Sequence, residues 1–282
     1  MQKIAVIGIA CLFPGADTIE QFKQNLFDNK DSTSPHSIDQ MGVDPDFFYH
    51  PRVGEVDKYY SRRGGYIQDF KFDPSGYNLP PTLLEKLDDV YKWSLTVARD
   101  ALKDSGYINK EKVLSKCGVI LGNLSFPTKL SNQQYLPIYH RALESSARNL
   151  IEEENFSLSD SAGFNEASFL NSRISGYPAA LVAEALSLSG TDFCLDAACA
   201  SSLYSVKLAS DYLQSGQADL MLAGSVSAGD PFFVNLGFST FTAYPENDES
   251  CPLDKKSQGL VSGEGAGMFV LKRYEDALRD GD

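Results

Sequence analysis

Residues 191 to 224 read TDFCLDAACASSLYSVKLASDYLQSGQADLMLAG. A short apolar run at 193 to 195 is followed by small residues around Cys199, and then by apolar residues at helical spacing that end before Ser215 and Gly216. The first pattern is typical of a buried strand, and the last of an amphipathic helix with a defined end. The sequence therefore predicts a sharp strand-to-helix turn that contains Cys199.

Cys199 is the candidate catalytic residue of this turn. The alanines and serines around it suit a crowded turn and leave the sulfur accessible to a substrate. A thiol at a helix N terminus meets unpaired N–H groups and the positive end of the helix dipole, which favour the nucleophilic thiolate. The same N–H groups could hold the oxyanion that forms when a thioester carbonyl is attacked. The alternative, that Cys199 is only a small buried residue, stays open because free cysteines are often structural.

Four further apolar runs accompany the one at 193 to 195. They occupy residues 4 to 10, 118 to 121, 220 to 223 and 268 to 271. Because these runs are continuous and do not alternate with polar residues, they predict strands that are covered on both faces of a mainly parallel sheet. Helical patterns lie between them, so the expected fold class is a layered α/β domain.

The ends of two helices are predicted from local signals. Asp17 with Glu20, and Thr82 with Glu85, match capping boxes, and Gly106 follows the second helix as its stop. In that second helix, apolar residues at helical spacing predict one buried face: Leu83, Leu87, Val90, Leu95, Ala98, Ala101 and Leu102.

Two regions interrupt the alternation of helices and strands. Residues 30 to 80 are rich in Pro, Gly, Asp, Phe and Tyr, which predicts an ordered, irregular excursion that packs on the body or on a partner. Residues 124 to 172 form a polar insertion with a predicted helix at 136 to 153. Neither repeats nor a linker divides the chain, so one domain is expected over 1 to 282.

Composition excludes several classes of function. The 282 residues include 38 acidic and 25 basic side chains, a formal charge of −13, which excludes generic nucleic-acid binding through phosphate neutralisation. No run of eighteen apolar residues occurs, so no membrane-spanning helix is expected, and the first residues are interpreted as a core strand and not as a lipoprotein signal. The odd number of scattered cysteines indicates reduced thiols in a cytoplasmic protein, with neither disulfides nor a zinc site: Cys11, Cys117, Cys194, Cys199 and Cys251.

The sequence DAACASSL, residues 196 to 203, resembles the nucleophile motif of β-ketoacyl synthases of the thiolase superfamily. The resemblance extends along the chain through IAVIGIACLFPGA (4 to 16), GVILGN (118 to 123), ISGYPAALVAEALSLSG (174 to 190) and the run with GEGAG at 251 to 282. It implies an α/β/α-layered half of a thiolase-like fold with a mainly parallel mixed sheet.

Within this family, the sequence is most similar to the ketosynthases of bacterial polyunsaturated fatty acid synthases. GGYIQDFKFDPSGY (64 to 77) and GNLSFPTK (122 to 129) carry this similarity. Where modular polyketide ketosynthases have an Asp-Pro-Gln-Gln-Arg signature, this chain has LEKLDDVYKWS (84 to 94), which weakens a modular-polyketide assignment.

The resemblance also implies roles for particular residues. Cys199 becomes the nucleophile that is acylated by a thioester before condensation with a decarboxylated malonyl unit, and its own N–H becomes half of the oxyanion hole. Phe238 resembles a wall of the acyl pocket, and Ser125 and Phe126 its floor, with ordinary core packing as the alternative for each. For Glu264 a structural role in the glycine turn is favoured over that of a catalytic acid. GEGAG fits no nucleotide-binding glycine pattern, and neither a cofactor nor a metal is implied.

The family resemblance implies protein partners. An acyl carrier protein is expected to deliver acyl and malonyl groups, and the strand at 193 to 195 is expected to pair across the two-fold axis of a homodimer. Carrier proteins are acidic, so docking on a chain of charge −13 needs a local basic patch. Two candidate patches are Lys58 with Arg62 and Arg63, and Lys255 with Lys256, Lys272 and Arg273.

Groups that family members use for condensation are missing. Two histidines, a lysine and a Gly-Phe-Gly-Gly loop are expected from the second half of the fold, and His36, His50 and His140 do not match them. The chain thus resembles an N-terminal part whose complementary C-terminal half is absent, and it is predicted to carry an acyl group without condensing it. The alternative is a non-catalytic subunit like a chain-length factor, although such subunits replace the nucleophile. A serine hydrolase is excluded because no G-x-S-x-G motif occurs.

Overall fold

A computed structural model of the chain describes residues 3–158, 169–247 and 249–282. The strands in these ranges are β1 (Ile4–Leu12), β2 (Ser34–Pro35), β3 (Arg63–Gly64), β4 (Cys117–Asn123), β5 (Asp192–Leu195), β6 (Leu220–Ser227) and β7 (Gly265–Arg273). The α-helices are α1 (Ile19–Phe27), α2 (Ile38–Met41), α3 (Pro45–Phe48), α4 (Pro81–Leu84), α5 (Asp89–Asp104), α6 (Glu111–Leu114), α7 (Lys129–Ile151), α8 (Tyr177–Ala185), α9 (Ser201–Gln214), α10 (Pro231–Thr240) and α11 (Tyr274–Asp280). A 3₁₀-helix covers Phe169–Ser172.

Five strands form the central sheet in the order β1-β7-β6-β4-β5. β4 is parallel to both of its neighbours, β5 and β6, whereas β7 is antiparallel to β6 and to β1. Four strands therefore run in one direction and only β7 runs against them. This arrangement confirms the predicted mainly parallel mixed sheet.

Side chains of the central strands alternate between two hydrophobic clusters. Val119 and Leu121 of β4 pack in the cluster that contains α5 and α8, whereas Ile120 packs with Ala209 and Leu213 of α9. Because successive residues of a strand point to opposite faces, α5 and α8 lie on one face of the sheet and α9 on the other. The chain thus has three layers, and the predicted α/β/α class is confirmed.

The α9 face of the sheet is only partly covered. Helix α9 packs on β4 and β6, while Val6 and Ile9 of β1 and Phe269 of β7 remain 57%, 38% and 36% exposed. The prediction that every core strand is covered on both faces is therefore wrong for β1 and β7. The apolar runs in the sequence do not show which part of the sheet face a single helix covers.

The start of α1 lies one residue after its predicted position. Thr18 is the N-cap, and its hydroxyl accepts a hydrogen bond from the Gln21 N–H at 3.2 Å. The Gln21 side chain in turn accepts from the Asp17 N–H at 2.8 Å. The predicted Asp17 and Glu20 capping box is thus wrong, because Thr18 caps the helix and the Gln21 side chain accepts from the N–H of the residue before Thr18.

The second predicted capping box is also wrong. Thr82 and Glu85 lie in and just after the single turn α4, and the long helix α5 begins only at Asp89, with Asp88 as its N-cap. Leu83 and Leu87 therefore precede the helix, although the other five predicted residues are buried on it. Asp88 prevails as the cap because it is itself buried and accepts from two backbone N–H groups. Gly106, with φ of 69°, follows the helix end as predicted.

The irregular excursion is ordered and packs on the body, as predicted. Tyr59, Tyr60, Tyr66 and Tyr77 are all buried within the range 30 to 80. In the polar insertion at 124 to 172, α7 begins at Lys129, seven residues before the predicted helix, and residues 159–168 lie outside the described ranges. Among the described helices, none is both long and apolar enough to cross a membrane.

Candidate active site

Cys199 lies in the turn between β5 and α9. The chain reverses at Ala198, whose φ of 49° falls in the left-handed region that a residue with a Cβ rarely adopts. Such strain persists only where the surroundings fix it, and it is frequent at functional sites. Cys199 follows directly and its side chain is exposed, so the predicted accessible thiol in a strand-to-helix turn is confirmed.

Four hydrogen bonds that involve side chains hold this turn. The Ser201 hydroxyl accepts from the Ala197 N–H at 2.9 Å and donates to the Ala198 carbonyl at 2.7 Å. The Asp196 carboxylate accepts from the Ser125 N–H at 2.9 Å and from the Ala198 N–H at 3.0 Å. These two backbone bonds lower the pKa of Asp196. The carboxylate thereby joins the loop after β4 to the residue that precedes Cys199.

A glycine lets the end of β4 reach the first residue of α9. A Cβ added at Gly122 would lie 2.8 Å from the carbonyl carbon of Ser201. Because Gly122 has no side chain, the end of β4 packs closely against the start of α9. Asn123, the next residue of β4, therefore lies beside the turn. The Asn123 side-chain amide donates to the Ile174 carbonyl at 2.6 Å, which fixes this end of the strand in place.

The N terminus of α9 presents free backbone donors. The first backbone hydrogen bond of the helix that reaches back to its N-cap is from the Tyr204 N–H to the Ala200 carbonyl, at 3.0 Å. Within the described residues, the N–H groups of Cys199, Ser202 and Leu203 have no acceptor. Free N–H groups beside a nucleophile are the usual means of stabilising an oxyanion.

Cys199 opens into a cavity of about 330 Å³ whose walls include Phe13, Asn123, Ser202 and Glu264. In the described part of the chain, the only ionisable side chains that line it are those of Cys199 and Glu264. Burial raises the pKa of Glu264 to about 7. One carboxyl oxygen of Glu264 accepts from the Ile67 N–H at 2.9 Å, a structural tie between the excursion and β7 that agrees with the favoured interpretation.

Three of the other cysteines differ from Cys199 in their surroundings. Burial raises the pKa of Cys11 to about 11, of Cys117 to about 12 and of Cys194 to about 11. Cys251 is partly exposed in the loop before β7. Cys199 is thus the most accessible thiol, and it alone of the five is placed at the start of a long helix.

The predicted pocket residues occupy different places. Ser125 is brought to the turn by its bond to Asp196. The ring of Phe126 packs on Phe233 with centroids 5.6 Å apart, and the ring of Phe238 packs on Tyr244 at 6.0 Å. Neither of the two predicted phenylalanines lines the cavity around Cys199, and their roles in an acyl pocket stay predictions.

Most residues of the two predicted basic patches already pair with acidic groups. Lys272 is buried against Asp280 and Asp282, and the Arg273 guanidinium pairs with Asp219. Two of the three basic residues in the first patch are also paired with carboxylates: Arg62 with Asp46 at 2.9 Å, and Arg63 with Asp31 at 2.7 Å. Lys255 and Lys256 are exposed, with no ion pair to any described residue.

Sequence reasoning missed three residues that shape the site: Gly122, Asn123 and Asp196. The contacts of Gly122 and Asp196 cross between segments that are far apart in sequence, so a local pattern cannot show them. A partial signal exists for Asp196, since an Asp directly after a strand favours a turn in which its side chain accepts a nearby backbone N–H. Among the described residues, no cluster of three or more His, Cys, Asp or Glu side chains could hold a metal ion.

Comparisons with known proteins identify the family of the chain. The family described as "Beta-ketoacyl synthase, N-terminal domain" matches residues 1–277. The chain is 34% identical to a polyunsaturated fatty acid synthase of Thraustochytrium sp. over 287 residues, which cover 100% of this chain and 13% of that protein. It is 29% identical to a phenolphthiocerol/phthiocerol polyketide synthase of Mycobacterium tuberculosis, over 100% of this chain and 17% of the relative.

Among solved structures, the "PfaC Keto synthase-Chain length factor" is 52% identical with a TM-score of 0.93, over 100% of this chain and 30% of that one. The chain thus spans less than a third of this structure and 13% of the first curated relative. Together the comparisons confirm the predicted family, its thiolase-like fold and the similarity to polyunsaturated fatty acid synthases.

Proposed function

The chain belongs to the β-ketoacyl synthase family, and on this premise we propose that Cys199 accepts an acyl group from a carrier-protein thioester, as the first step of chain extension by decarboxylative condensation. The observation that carries the proposal is the exposed thiol at the start of α9, next to N–H groups that have no acceptor among the described residues. An exposed thiol in this setting is poised to act as a nucleophile.

The chemical step follows from this geometry. The Cys199 thiolate attacks the thioester carbonyl carbon and forms a carbon–sulfur bond, while the carbonyl oxygen takes the negative charge. In this proposal the N–H of Cys199 donates to the oxyanion, as half of the oxyanion hole. When the intermediate collapses, the bond to the carrier thiol breaks and the departing thiolate takes up a proton. The acyl group remains on Cys199.

A second half of the fold would complete the enzyme. We assign residues 1–282 to the N-terminal part of a ketosynthase domain, and the groups that activate the malonyl unit to a complementary C-terminal half. The uncovered apolar surface of Val6, Ile9 and Phe269 supports this assignment. Between this surface, α1 and α9 lies an apolar groove of about 620 Å³, which a packed partner half would fill.

Two further partners belong to the proposal. An acyl carrier protein would present the thioester, and the exposed pair Lys255 and Lys256 is the remaining candidate from the second basic patch. Strand β5 is an edge strand of the sheet, so its free side is available to pair with the same strand of a related protomer. The acyl groups would be those of polyunsaturated fatty acid or polyketide synthesis.

The alternative function is that of a chain-length-factor-like subunit, and it has some support because a similar solved structure carries both names in its title. The two functions differ at one residue. A protein without catalysis has no need of a reactive thiol, whereas this chain keeps Cys199 exposed in a strained turn. We therefore favour the nucleophile-bearing half of a β-ketoacyl synthase.

The test is acyl transfer to the purified chain. Acyl carrier protein loaded with a radiolabelled acyl group is incubated with the wild type, with Cys199→Ala and with Cys251→Ala as the matched control. We expect one acyl group per chain on Cys199 in the wild type and the control, and none in Cys199→Ala. Acylation that survives Cys199→Ala, or no acylation of a folded wild-type chain, would contradict the proposal. Addition of malonyl carrier protein should give no ketoacyl product, and its formation would contradict the need for a second half.

A further inference from the structure

A second, much smaller cavity of about 30 Å³ lies between α10 and the start of β7, and Tyr66, Asn235 and Glu264 help to line it. Asn235 is 1% exposed. Its side-chain nitrogen donates to the Pro231 carbonyl at 2.8 Å and to the Tyr66 hydroxyl at 3.3 Å. Because a carbonyl can only accept, the Pro231 contact fixes which end of the amide is nitrogen.

The other end of this amide is the unusual feature. Asn235 Oδ1 is buried and accepts no hydrogen bond from any described residue. A buried acceptor without a donor is costly, and most such atoms in native proteins are bonded to protein or to ordered water. A cavity of about 30 Å³ is large enough for one water molecule, which needs two to four polar partners.

The hydroxyl of Tyr66 extends the network to a histidine. His36 Nε2 lies 3.1 Å from the Ser61 carbonyl, so this nitrogen carries a hydrogen. In the neutral ring His36 Nδ1 is then an acceptor, and the Tyr66 hydroxyl donates to it at 2.7 Å. Tyr66 thus accepts from Asn235 and donates to His36, and every hydrogen in this chain of bonds has a defined direction.

Glu264 connects this network to the nucleophile. Glu264 lines both the small cavity and the larger one around Cys199. One carboxyl oxygen accepts from the Ile67 N–H, and the other has no partner among the described residues. Ser262, whose hydroxyl oxygen accepts from Tyr244 at 2.9 Å, also lines the small cavity and retains a hydrogen to donate.

We propose that one water molecule binds in the small cavity, donates hydrogen bonds to Asn235 Oδ1 and to the carboxylate of Glu264, and accepts one from Ser262. This water links the wall of the Cys199 cavity to the Tyr66 and His36 pair. Glu264 is thereby a positioning residue whose charge acts on Cys199 through space. The inference goes beyond the proposed function, because it concerns the cavity wall and needs no acyl donor.

The ionisation of Glu264 should depend on this water. Burial raises its pKa to about 7, the Ile67 N–H and the charge of Lys129 on α7 lower it, and Asp89 on α5 raises it. From the excursion Tyr66 faces it as a neutral phenol, because burial keeps the pKa of Tyr66 far above its ordinary value. As pH rises through about 7, a carboxylate forms in the wall of the cavity that Glu264 shares with Cys199. A donated hydrogen bond from water stabilises that carboxylate and favours its formation.

The first arm of the test is the pH profile of Cys199 alkylation by iodoacetamide, a neutral reagent, in a Cys251→Ala background. Glu264→Gln keeps an oxygen for the Ile67 N–H but cannot ionise. We expect it to raise the alkylation rate about fivefold at pH near 8.5 and to leave the rate at pH near 6 unchanged, because the charge is present only at the higher pH. Equal profiles for both chains would overturn the coupling.

The second arm tests the water itself. Asn235→Leu removes the acceptor, and we expect the inflection due to Glu264 to move up by roughly one pH unit, because the carboxylate loses the donor that the water supplies. Ser239→Ala is the control, since Ser239 is equally buried on α10 and also lacks a partner among the described residues, but does not line this cavity. Its profile should match the parent.

A crystal structure of the wild-type chain gives an independent result if Asn235→Leu fails to fold. We expect an ordered water within hydrogen-bond distance of Asn235 Oδ1 and Glu264. A well-ordered cavity without it, or an unchanged inflection in a folded Asn235→Leu variant, would overturn the proposal. None of these readouts uses acyl transfer, so their failure and failure of the proposed function are distinguishable.

Discussion

Asp196 connects the turn that contains Cys199 to the loop after β4. Its carboxylate accepts from the Ser125 and Ala198 N–H groups, and the second of these belongs to the strained residue before Cys199. We expect Asp196→Ala to lower the free energy of unfolding by about 1 kcal/mol, as loss of a capping carboxylate does, and to slow the reactions of Cys199. Urea denaturation and alkylation rates measure the two effects.

The matched control is Asp192→Ala. Asp192, on β5, is exposed like Asp196, but its carboxylate accepts no hydrogen bond from the described residues. The pKa of Asp196 is lowered in the folded chain, so its contribution is present above the ordinary carboxyl pKa and is lost as pH falls through the lowered value. The two variants should therefore converge in stability in acid. Equal stabilities at neutral pH would contradict the role of Asp196.

At the level of single residues, the sequence was sufficient to predict the exposed thiol of Cys199 but not the contacts that hold its turn in place. The small residues around Cys199 predict an accessible turn, because the space around a tight turn depends on the residues next to it in the sequence. The partner of Asp196 lies 71 positions away, and a contact of that kind depends on the sheet that brings β4 beside β5.

At the level of elements, the contact between the end of β4 and the start of α9 sets the position of the turn. A Cβ at Gly122 would lie 2.8 Å from the backbone of Ser201, which cannot move without shifting α9. We expect Gly122→Ala to destabilise the chain by about 1–3 kcal/mol, as overpacking does, and to slow Cys199 alkylation. Thermal unfolding and the alkylation rate are the measurements.

Gly237→Ala on α10 is its control, because a Cβ there meets nothing within 4 Å. Removal of a helical glycine should leave stability unchanged or raise it by about 0.5–1 kcal/mol. A Gly122→Ala chain as stable and as reactive as Gly237→Ala would show that β4 and α9 do not constrain the turn.

The end of β7 depends on a buried ion cluster. The side chain of Lys272 is 5% exposed, and its ammonium donates to the Tyr107 hydroxyl, to Asp280 and to Asp282, each at 2.6 Å. Lys272→Ala leaves these groups without their shared cation, and we expect a loss of about 1.5–3 kcal/mol in urea denaturation, which is typical of hydrogen bonds to a charged group. Lys116→Ala removes an exposed pair with Asp219 and should cost less than about 1 kcal/mol. Similar losses in both variants would contradict the importance of this cluster.

Helix boundaries show where local signals compete. Both predicted capping boxes are chemically sound, yet the neighbouring Thr18 and the buried Asp88 cap the helices in their place. The choice between adjacent caps depends on burial and on partners from other segments, such as the Leu130 N–H that donates to Asp88. A single sequence does not carry that information.

At the level of the whole molecule, the partly covered face of the sheet is the surface at which we expect the chain to associate. We expect the double variant Val6→Thr and Ile9→Thr to associate less than the wild type in concentration-dependent light scattering, because exposed apolar surface drives self-association. Threonine keeps the branched shape that strands favour, so folding should be retained. Val119→Thr, at a fully buried site, should instead destabilise the chain, and unchanged association of the double variant would contradict the account.

The layered fold was predictable because five apolar runs of strand length alternate with helical patterns. The reversed direction of β7 was not, since pairing direction depends on how the chain returns to the sheet, and a strand pattern is the same in either direction. The apolar runs did not show the incomplete cover on β1 and β7, whereas the missing half that the family resemblance implies does predict uncovered apolar surface on the sheet.

The proposed function depends above all on the reactivity of the Cys199 thiol, and a competition between thiols of the same chain measures this reactivity most directly. The folded protein is treated with substoichiometric iodoacetamide at neutral pH, and the modified cysteines are quantified by peptide mass spectrometry. We predict that Cys199 reacts at least about tenfold faster than Cys251, and that Cys11, Cys117 and Cys194 stay unmodified because burial keeps them protonated and inaccessible. Equal rates at Cys199 and Cys251 would contradict the claim that the turn activates the nucleophile.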